Sequence, residues 1–182
     1  MKNKYFISER LLYRPARIED LQTCVRFNNE PSRRKWFYFQ EPDCLTEEFA
    51  LRSIQENIEM WDKKVNVLDG ADLFMTLKKT GELIGSVGIS RRTRPEVHLD
   101  GLEIGYHVAE AYQGKGYATE GAKAALEWAV ERFREINIYP IIECHVEHEH
   151  KASRRVAEKA GFVFNRSYKY VIVYIFDTRF ET

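Results

Sequence analysis

Gly114, Gly116 and Gly121 fall within one short stretch, AYQGKGYATEG (residues 111–121), which has no β-branched residue before Thr119. Glycines at the mouth of a helix leave backbone N–H groups turned outward, and the helix dipole adds about half a positive charge at that end. The chemistry on offer is capture of a phosphate or similar anion; the plainer alternative is an ordinary strand-to-helix turn. Two phosphate-loop patterns fail here. A Walker A loop requires Gly, four residues, then Gly-Lys-Ser/Thr, but Gly114-Lys115 is followed by Gly116, and the position five before Gly114 is Ala109. A dinucleotide fingerprint needs a small residue where Thr119 stands and opens a parallel βαβ unit, whereas this loop follows a predicted antiparallel meander. What remains is Gln-x-x-Gly-x-Ala at Gln113, Gly116 and Ala118.

A second run, CHVEHEH (Cys144 to His150), holds three kinds of metal ligand. On a strand, Cys144, Val146, His148 and His150 face one way and His145, Glu147 and Glu149 the other, so neither face presents a ligand set with apolar support. The run is expected to be a polar strand end entering a loop, with no metal. KWFYFQEPDC (Lys35 to Cys44) sets aromatic residues beside Glu41 and Asp43. It reads as a loop tucked onto the core, with Glu41 and Asp43 suited to a cationic group.

These groups need a frame. Arg10 to Ala16 reads as a first strand ended by Pro15; Asp20 caps a helix over about Leu21 to Asn28, which stops before Pro31. Thr46, followed by Glu47 and Glu48, opens a helix with Leu51, Ile54, Ile58 and Trp61 on one side. Ala71 to Leu77 and Leu83 to Ser90 form a hairpin around KKTGE, and Leu102 to Val108 is the next strand. The loop then leads into a helix over Thr119 to Phe133, whose Gly121, Ala122, Ala124 and Ala125 allow close approach to a sheet. Ile141 to Val146 is a strand, and Ser153 to Ala160 a helix ended by Gly161, with Phe162 folding back on Ala157. Strands over Phe162 to Ser167 and Lys169 to Asp177 follow. The fold class is α/β (α+β): a mostly antiparallel mixed sheet of about seven strands flanked by about four helices.

The totals agree with one soluble domain over residues 1–182. Lys plus Arg number 28 and Asp plus Glu 28, so no global field draws the chain to nucleic acid or an anionic membrane. The amino terminus lacks the apolar stretch of a signal peptide, and the longest apolar run, Tyr170 to Phe176, is too short to span a bilayer; a cytoplasmic protein is expected. Cys24, Cys44 and Cys144 form no CxxC pair and read as small buried hydrophobes in a reduced compartment.

EIGYHVAEAYQGKGYATEG and HKASRRVAEKAGF, in this order, resemble the acetyl-CoA loop and following helix signature of the GNAT superfamily of N-acyltransferases, in particular the RimJ/RimL branch of ribosomal-protein N-terminal acetyltransferases. The likeness covers nearly the whole chain, including SERLLYRPARIEDL. It implies the GNAT fold and acetyl-CoA as co-substrate. It also implies that the backbone of Gln113, Gly114, Lys115, Gly116, Tyr117, Ala118 and Thr119 holds the pyrophosphate. The pantetheine arm would slot between the strand ending at Val108 and the strand of Ile141 to Val146, with the thioester near Tyr106, His107 and Val108. The resemblance also places His150, which stands where relatives carry asparagine, and Ser153 at the cofactor; Arg154 or Arg155 reaches a cofactor phosphate or is plain solvated charge.

Acyl transfer to nitrogen needs a free amine, stabilisation of a developing oxyanion and a departing thiolate. By the same resemblance Glu103 is the base, directly or through water, Val108 N–H the oxyanion donor, and Ser153 the partner of the thiolate. Their ordinary readings are a solvated strand carboxylate for Glu103 and a helix N-cap for Ser153. An unperturbed glutamate is too acidic for the task, so burial of Glu103 is expected. Freeing a lysine-like amine at neutral pH costs about 4.6 kcal/mol, an α-amine only about 1 kcal/mol. A protein N-terminal α-amine is thus the leading acceptor. Aminoglycosides, polyamines and amino acids follow, and a non-catalytic acyl-CoA-binding module is the reading from another class. The apolar last strand is suited to pairing in a homodimer.

Overall fold

The structure, a computed structural model, describes residues 5–36, 46–63, 70–94 and 99–180. Eight strands form one sheet: β1 (Phe6–Ile7), β2 (Leu11–Arg14), β3 (Ala71–Leu77), β4 (Leu83–Arg94), β5 (Leu99–Val108), β6 (Ile141–Glu147), β7 (Val163–Ser167) and β8 (Val171–Asp177). Their spatial order is β1-β2-β3-β4-β5-β6-β8-β7. Five helices accompany it: α1 (Leu21–Asn28), α2 (Pro31–Trp36), α3 (Glu47–Asp62), α4 (Tyr117–Glu135) and α5 (Lys151–Lys159).

The sheet has one strand and one helix more than the sequence suggests. β1 is two residues long, pairing Phe6 with Tyr13 and Ile7 with Leu12, too short to show alternation. Pro31 does end α1, as expected, but it also begins α2, where a missing N–H costs nothing. Lys35 and Trp36 belong to α2, while Phe37 to Cys44, with Glu41 and Asp43, lie outside the described residues.

Local chemistry explains most ends. Thr46 Oγ1 accepts from Phe49 N–H at 3.1 Å and caps α3. Gly81, at φ +73°, closes the β3–β4 hairpin, where Leu77 N–H donates to Glu82 O at 2.8 Å. Gly161, at φ +101°, closes α5 as Phe162 N–H reaches back to Ala157 O at 3.1 Å. Two caps differ from expectation. Asp20 is the N-cap of α1 by position, as expected, but its side chain accepts no α1 amide: Oδ2 accepts the Arg17 N–H at 2.7 Å in the preceding turn, and the carboxylate takes both Nη atoms of Arg14, at 2.8 and 2.7 Å, in a buried pair. Ser153 lies inside α5, and the N-cap is His150.

α4 packs its small residues on the sheet. Gly121, Ala122, Ala124, Ala125 and Ala129 are buried there, beside Leu126, Val130 and Phe133. A Cβ at Gly121 would come within 2.5 Å of Met75 Sδ, the far end of a flexible side chain, so a larger residue there would make Met75 shift. The last strand is not an edge. β8 sits between β6 and β7, which corrects the expectation that it pairs in a dimer; β7 forms that edge of the sheet.

Candidate active site

β5 and β6 are parallel, and their pairing covers only Leu102 with Ile142 and Glu103 with Glu143. Beyond Glu103 the two strands part. On its other side β5 stays in continuous antiparallel register with β4 out to Gly85–Val108, and Ala109 N–H donates to Ile84 O at 2.9 Å. Alternation along that ladder turns the N–H groups of Tyr106 and Val108 away from β4 and toward β6, into the split.

The glycine elbow lies at the end of β5. Residues Glu110–Tyr112 make one 3₁₀ turn, Gly114 has φ +74°, and Gly116, at φ +83°, is the left-handed N-cap of α4 with no side-chain cap bond. The first intrahelical bond runs from Glu120 N–H to Gly116 O at 3.0 Å, so the N–H groups of Tyr117, Ala118 and Thr119 have no helix carbonyl to meet. Nothing lies within 4 Å of a Cβ built at Gly114; its backbone angle, not space, calls for glycine.

Contacts remote in sequence fix this loop. Glu120 Oε1 accepts from Ser8 Oγ at 2.6 Å and from Arg10 N–H at 2.7 Å, and its Oε2 accepts from Arg10 Nε at 2.7 Å. Arg10 Nη1 donates to Lys115 O at 2.9 Å, with the guanidinium 4.3 Å from the Tyr117 ring centroid. These contacts hold the Glu120 carboxyl below the ordinary carboxylate range against the opposing cost of burial. Gln113 Nε2 donates to Val108 O at 2.9 Å and to Ser32 Oγ at 3.2 Å, linking the elbow to the split and to α2.

A split between parallel strands beside a helix mouth rich in outward amides suits a long cofactor with a diphosphate at one end. The model of the acetyltransferase (GNAT) domain matches residues 10–163. The chain belongs to the GNAT family. An uncharacterized protein of Bacillus subtilis (strain 168), YkkB, is 30% identical over 132 residues, 71% of this chain and 73% of the relative. A GNAT-family acetyltransferase from Bacillus anthracis superposes with a TM-score of 0.74 at 22% identity, over 96% of this chain and 99% of that one. RimL, a ribosomal α-N-protein acetyltransferase solved with coenzyme A, superposes with a TM-score of 0.73 at 17% identity, over 94% of this chain and 96% of that one. The GNAT chain is an acetyl-CoA-dependent acetyltransferase that acts on an amine.

On this GNAT frame the expected site residues fall into three places. Tyr106 and Ser153 meet: Tyr106 Oη is 3.0 Å from Ser153 Oγ, donates to Ser153 O at 3.0 Å, and lies 3.8 Å from Cys144 Sγ. Burial pushes the Tyr106 phenol well above its usual range and the Cys144 thiol up to about 12, so both are protonated at neutral pH. The elbow residues Gln113 to Thr119 form the second place, reached from the first past Val108. Glu103 and His107 lie on the opposite face of β5 from Tyr106, with 7% exposure each. His107 Nε2 is 3.7 Å from Glu30 Oε2, and burial followed by Arg33 lowers its pKa to about 3. The ring is therefore neutral, and that approach is not an ion pair.

His150 stacks on Trp36, with centroids 4.1 Å apart, and Arg154 Nε donates to Tyr174 Oη at 3.2 Å, toward β8. The sequence reading passes over Arg10 and Glu120, which are separated by more than a hundred positions and carry no local signal. A cleft of about 170 Å³ lined by Lys123, Leu126, Glu127, Lys159, Ala160 and Gly161 shares no residue with the split or the elbow. Among the described residues no group of three His, Cys, Asp or Glu side chains is placed to hold a metal, and no helix is long and apolar enough to cross a membrane.

Proposed function

We propose that this acetyltransferase acts on the α-amine of a protein N terminus, by direct attack of the amine on acetyl-CoA in a ternary complex. The observation that carries the reading is the end of β5–β6 pairing at Glu103–Glu143, with the Val108 N–H turned into the gap. The acceptor class rests on amine acidity, because an α-amine needs only about 1 kcal/mol to be free at neutral pH and so tolerates a weak base. The RimJ/RimL-like motifs and the fold shared with RimL support the same acceptor.

In this reading the N–H groups of Tyr117, Ala118 and Thr119, with the Gln113–Gly116 backbone, hold the pyrophosphate. Bound acetyl-CoA supplies an activated acyl carbon with a thiol leaving group. Val108 N–H donates to the acyl oxygen as charge develops there, a donor already oriented before reaction. Ser153 and Tyr106 share a hydroxyl pair from which a proton reaches the departing sulfur. Glu103 receives the amine's proton, directly or through water. Acetyl-CoA as co-substrate and the free thiols of Cys24 and Cys144 fit a cytoplasmic enzyme.

Thiol release from acetyl-CoA over an amine panel tests the acceptor. Peptides with free N termini should give the highest kcat/KM. Faster turnover of spermidine, an aminoglycoside or a free amino acid, with peptides inert, would replace the acceptor class.

A further inference from the structure

Gly105 stands inside β5 with no packing reason to be glycine. Glycine in a strand interior serves a bulge, a left-handed backbone, or the close approach of another backbone or a ligand. The β4–β5 register runs unbroken from Arg94–Leu99 to Gly85–Val108, and Gly105 takes no positive φ. Gly85 differs, since a Cβ there would run into the carbonyl oxygen of His107. A Cβ on Gly105 meets nothing within 4 Å. That leaves a ligand as the group that comes close.

Alternation puts Gly105 on the face of Glu103 and His107, opposite Ile104, Tyr106 and Val108. The second face is closed: Ile104 and Val108 are buried, as are Cys144 and Val146 across the split, and Tyr106 Oη meets Ser153 Oγ at 3.0 Å. An amine heading for an acyl carbon in the split must therefore come over the face of Gly105. Of the three β5 residues that face this side from Glu103 to His107, Gly105 alone is exposed.

Beyond Gly105 this face is roofed. His107 lies 5.7 Å from the Phe27 ring and 3.7 Å from the Glu30 carboxylate. Ser32 N–H donates to Glu110 Oε1 at 2.7 Å, and Trp36 stacks on His150. α2 is thus tied at one end to the turn after β5 and at the other to the N-cap of α5 after β6. Its six residues span about 9 Å, more than the roughly 4.8 Å between paired strands, as a crossing of parted strands requires. Among the described residues of this face, the opening onto the split lies at Gly105, with Glu103 at its edge.

We propose that Gly105 is a specificity-determining residue for the acceptor: the amine reaches the acyl carbon across its bare backbone, and the room above it limits the bulk of the group that carries the amine. The inference rests on the acetyl-transfer reading and adds the route by which the acceptor enters. That route takes the amine past Glu103, the carboxylate to which its proton goes. The Tyr106 and Ser153 hydroxyls that serve the departing sulfur lie on the far face, so the two proton transfers use separate groups.

Three variants of the full chain test this. A Cβ at Gly105 meets open space on an ordinary backbone, so Gly105→Ala and Gly105→Leu should fold, and a side chain there clashes only with an incoming group. Desulfo-CoA affinity by calorimetry should stay within twofold of wild type in both, while kcat/KM for an α-amine peptide falls at least tenfold in Gly105→Leu. In Gly105→Ala the loss should follow the acceptor: relative to wild type, a peptide beginning with leucine should lose at least fivefold more than one beginning with glycine. Equal losses for the two peptides, no loss in Gly105→Leu, or loss of desulfo-CoA binding alongside acetyl transfer overturns the proposal. Gly105→Cys gives a readout that needs no turnover. Above the background of the wild-type thiols, the introduced thiol should react with a small aromatic disulfide as fast as an exposed one, with or without saturating desulfo-CoA. A slow thiol, or more than fivefold protection by desulfo-CoA, would put protein or cofactor over Gly105 and overturns the proposal as well. Failure of the wild type to acetylate any amine would instead strike the acetyl-transfer reading, and the thiol still decides whether the face at Gly105 is open.

Discussion

Tyr106 Oη stands 3.0 Å from both the hydroxyl and the carbonyl oxygen of Ser153, so a strand residue and a helix residue on opposite banks of the split are joined by one phenol. The same contact serves structure and chemistry. It ties α5 to β5 where the sheet has no ladder left, and it places two hydroxyls where a thiolate would leave.

Tyr106→Phe removes the bridge and leaves Ser153 groups short of a partner, a loss of about 1–3 kcal/mol in stability. We expect kcat to fall at least tenfold with a smaller change in KM for acetyl-CoA. Ser153→Ala should have a milder effect, and the double variant should cost less than the sum of the two. Additive losses in the double-mutant cycle would show that the two hydroxyls do not act as a unit.

Gly114 and Gly116 are predicted to matter through backbone angle. Alanine at either φ above +70° costs about 1–2 kcal/mol, equivalent to about 5- to 30-fold. We expect that factor in desulfo-CoA affinity by calorimetry for Gly114→Ala, whose Cβ meets open space. Glu120→Gln should weaken CoA binding as well, by releasing Arg10 from the loop it braces. Wild-type affinity in both variants would separate the elbow from the cofactor.

The elbow was legible because positive φ leaves glycine in the sequence, and so were the β3–β4 turn and the end of α5 at Gly161 for the same reason. Helix α4 was legible through its small residues. Long-range choices were not. Asp20 does sit at the cap position, yet Arg14, only six residues earlier, and the Arg17 N–H take its carboxylate, a pairing that residue types alone do not single out. Ser153 looks equally like a cap, and only the fold reveals Tyr106 above it. Pro31 reads as a stop, and its second use as the first residue of α2 depends on Glu30 accepting the Arg34 N–H at 3.0 Å. In CHVEHEH the alternation correctly separates Cys144 from His145, but the bond between His145 and Glu143 one step outside the run, and the Arg166 that fixes it, come from strand packing.

Glu103 is buried, the environment its assignment as base requires. With Glu103→Gln, kcat/KM for an α-amine peptide at pH 7 should fall at least tenfold if the carboxylate touches the amine. A lysine-like acceptor should suffer more, since freeing its amine demands about 3 to 4 kcal/mol more. An unchanged rate and pH profile would remove Glu103 from the chemistry.

His107 gives the fold a dependence on pH whose sign follows from its burial. The imidazole titrates near 6.5 when unfolded and at about 3 when folded, so between these values the unfolded chain holds a proton that the folded chain refuses. Its contribution is complete above pH 6.5 and is lost as pH falls toward 3, at about 1.4 kcal/mol per unit. From pH 6.5 to 4.5 the wild type should lose about 2 to 3 kcal/mol from this residue alone. Urea unfolding of wild type and His107→Gln across that range checks it, because carboxylates titrate in both and only the imidazole differs. The variant should show a flatter slope by that amount. Parallel slopes would mean that His107 accepts its proton in the folded state, through water entry or through the nearby Glu30 carboxylate.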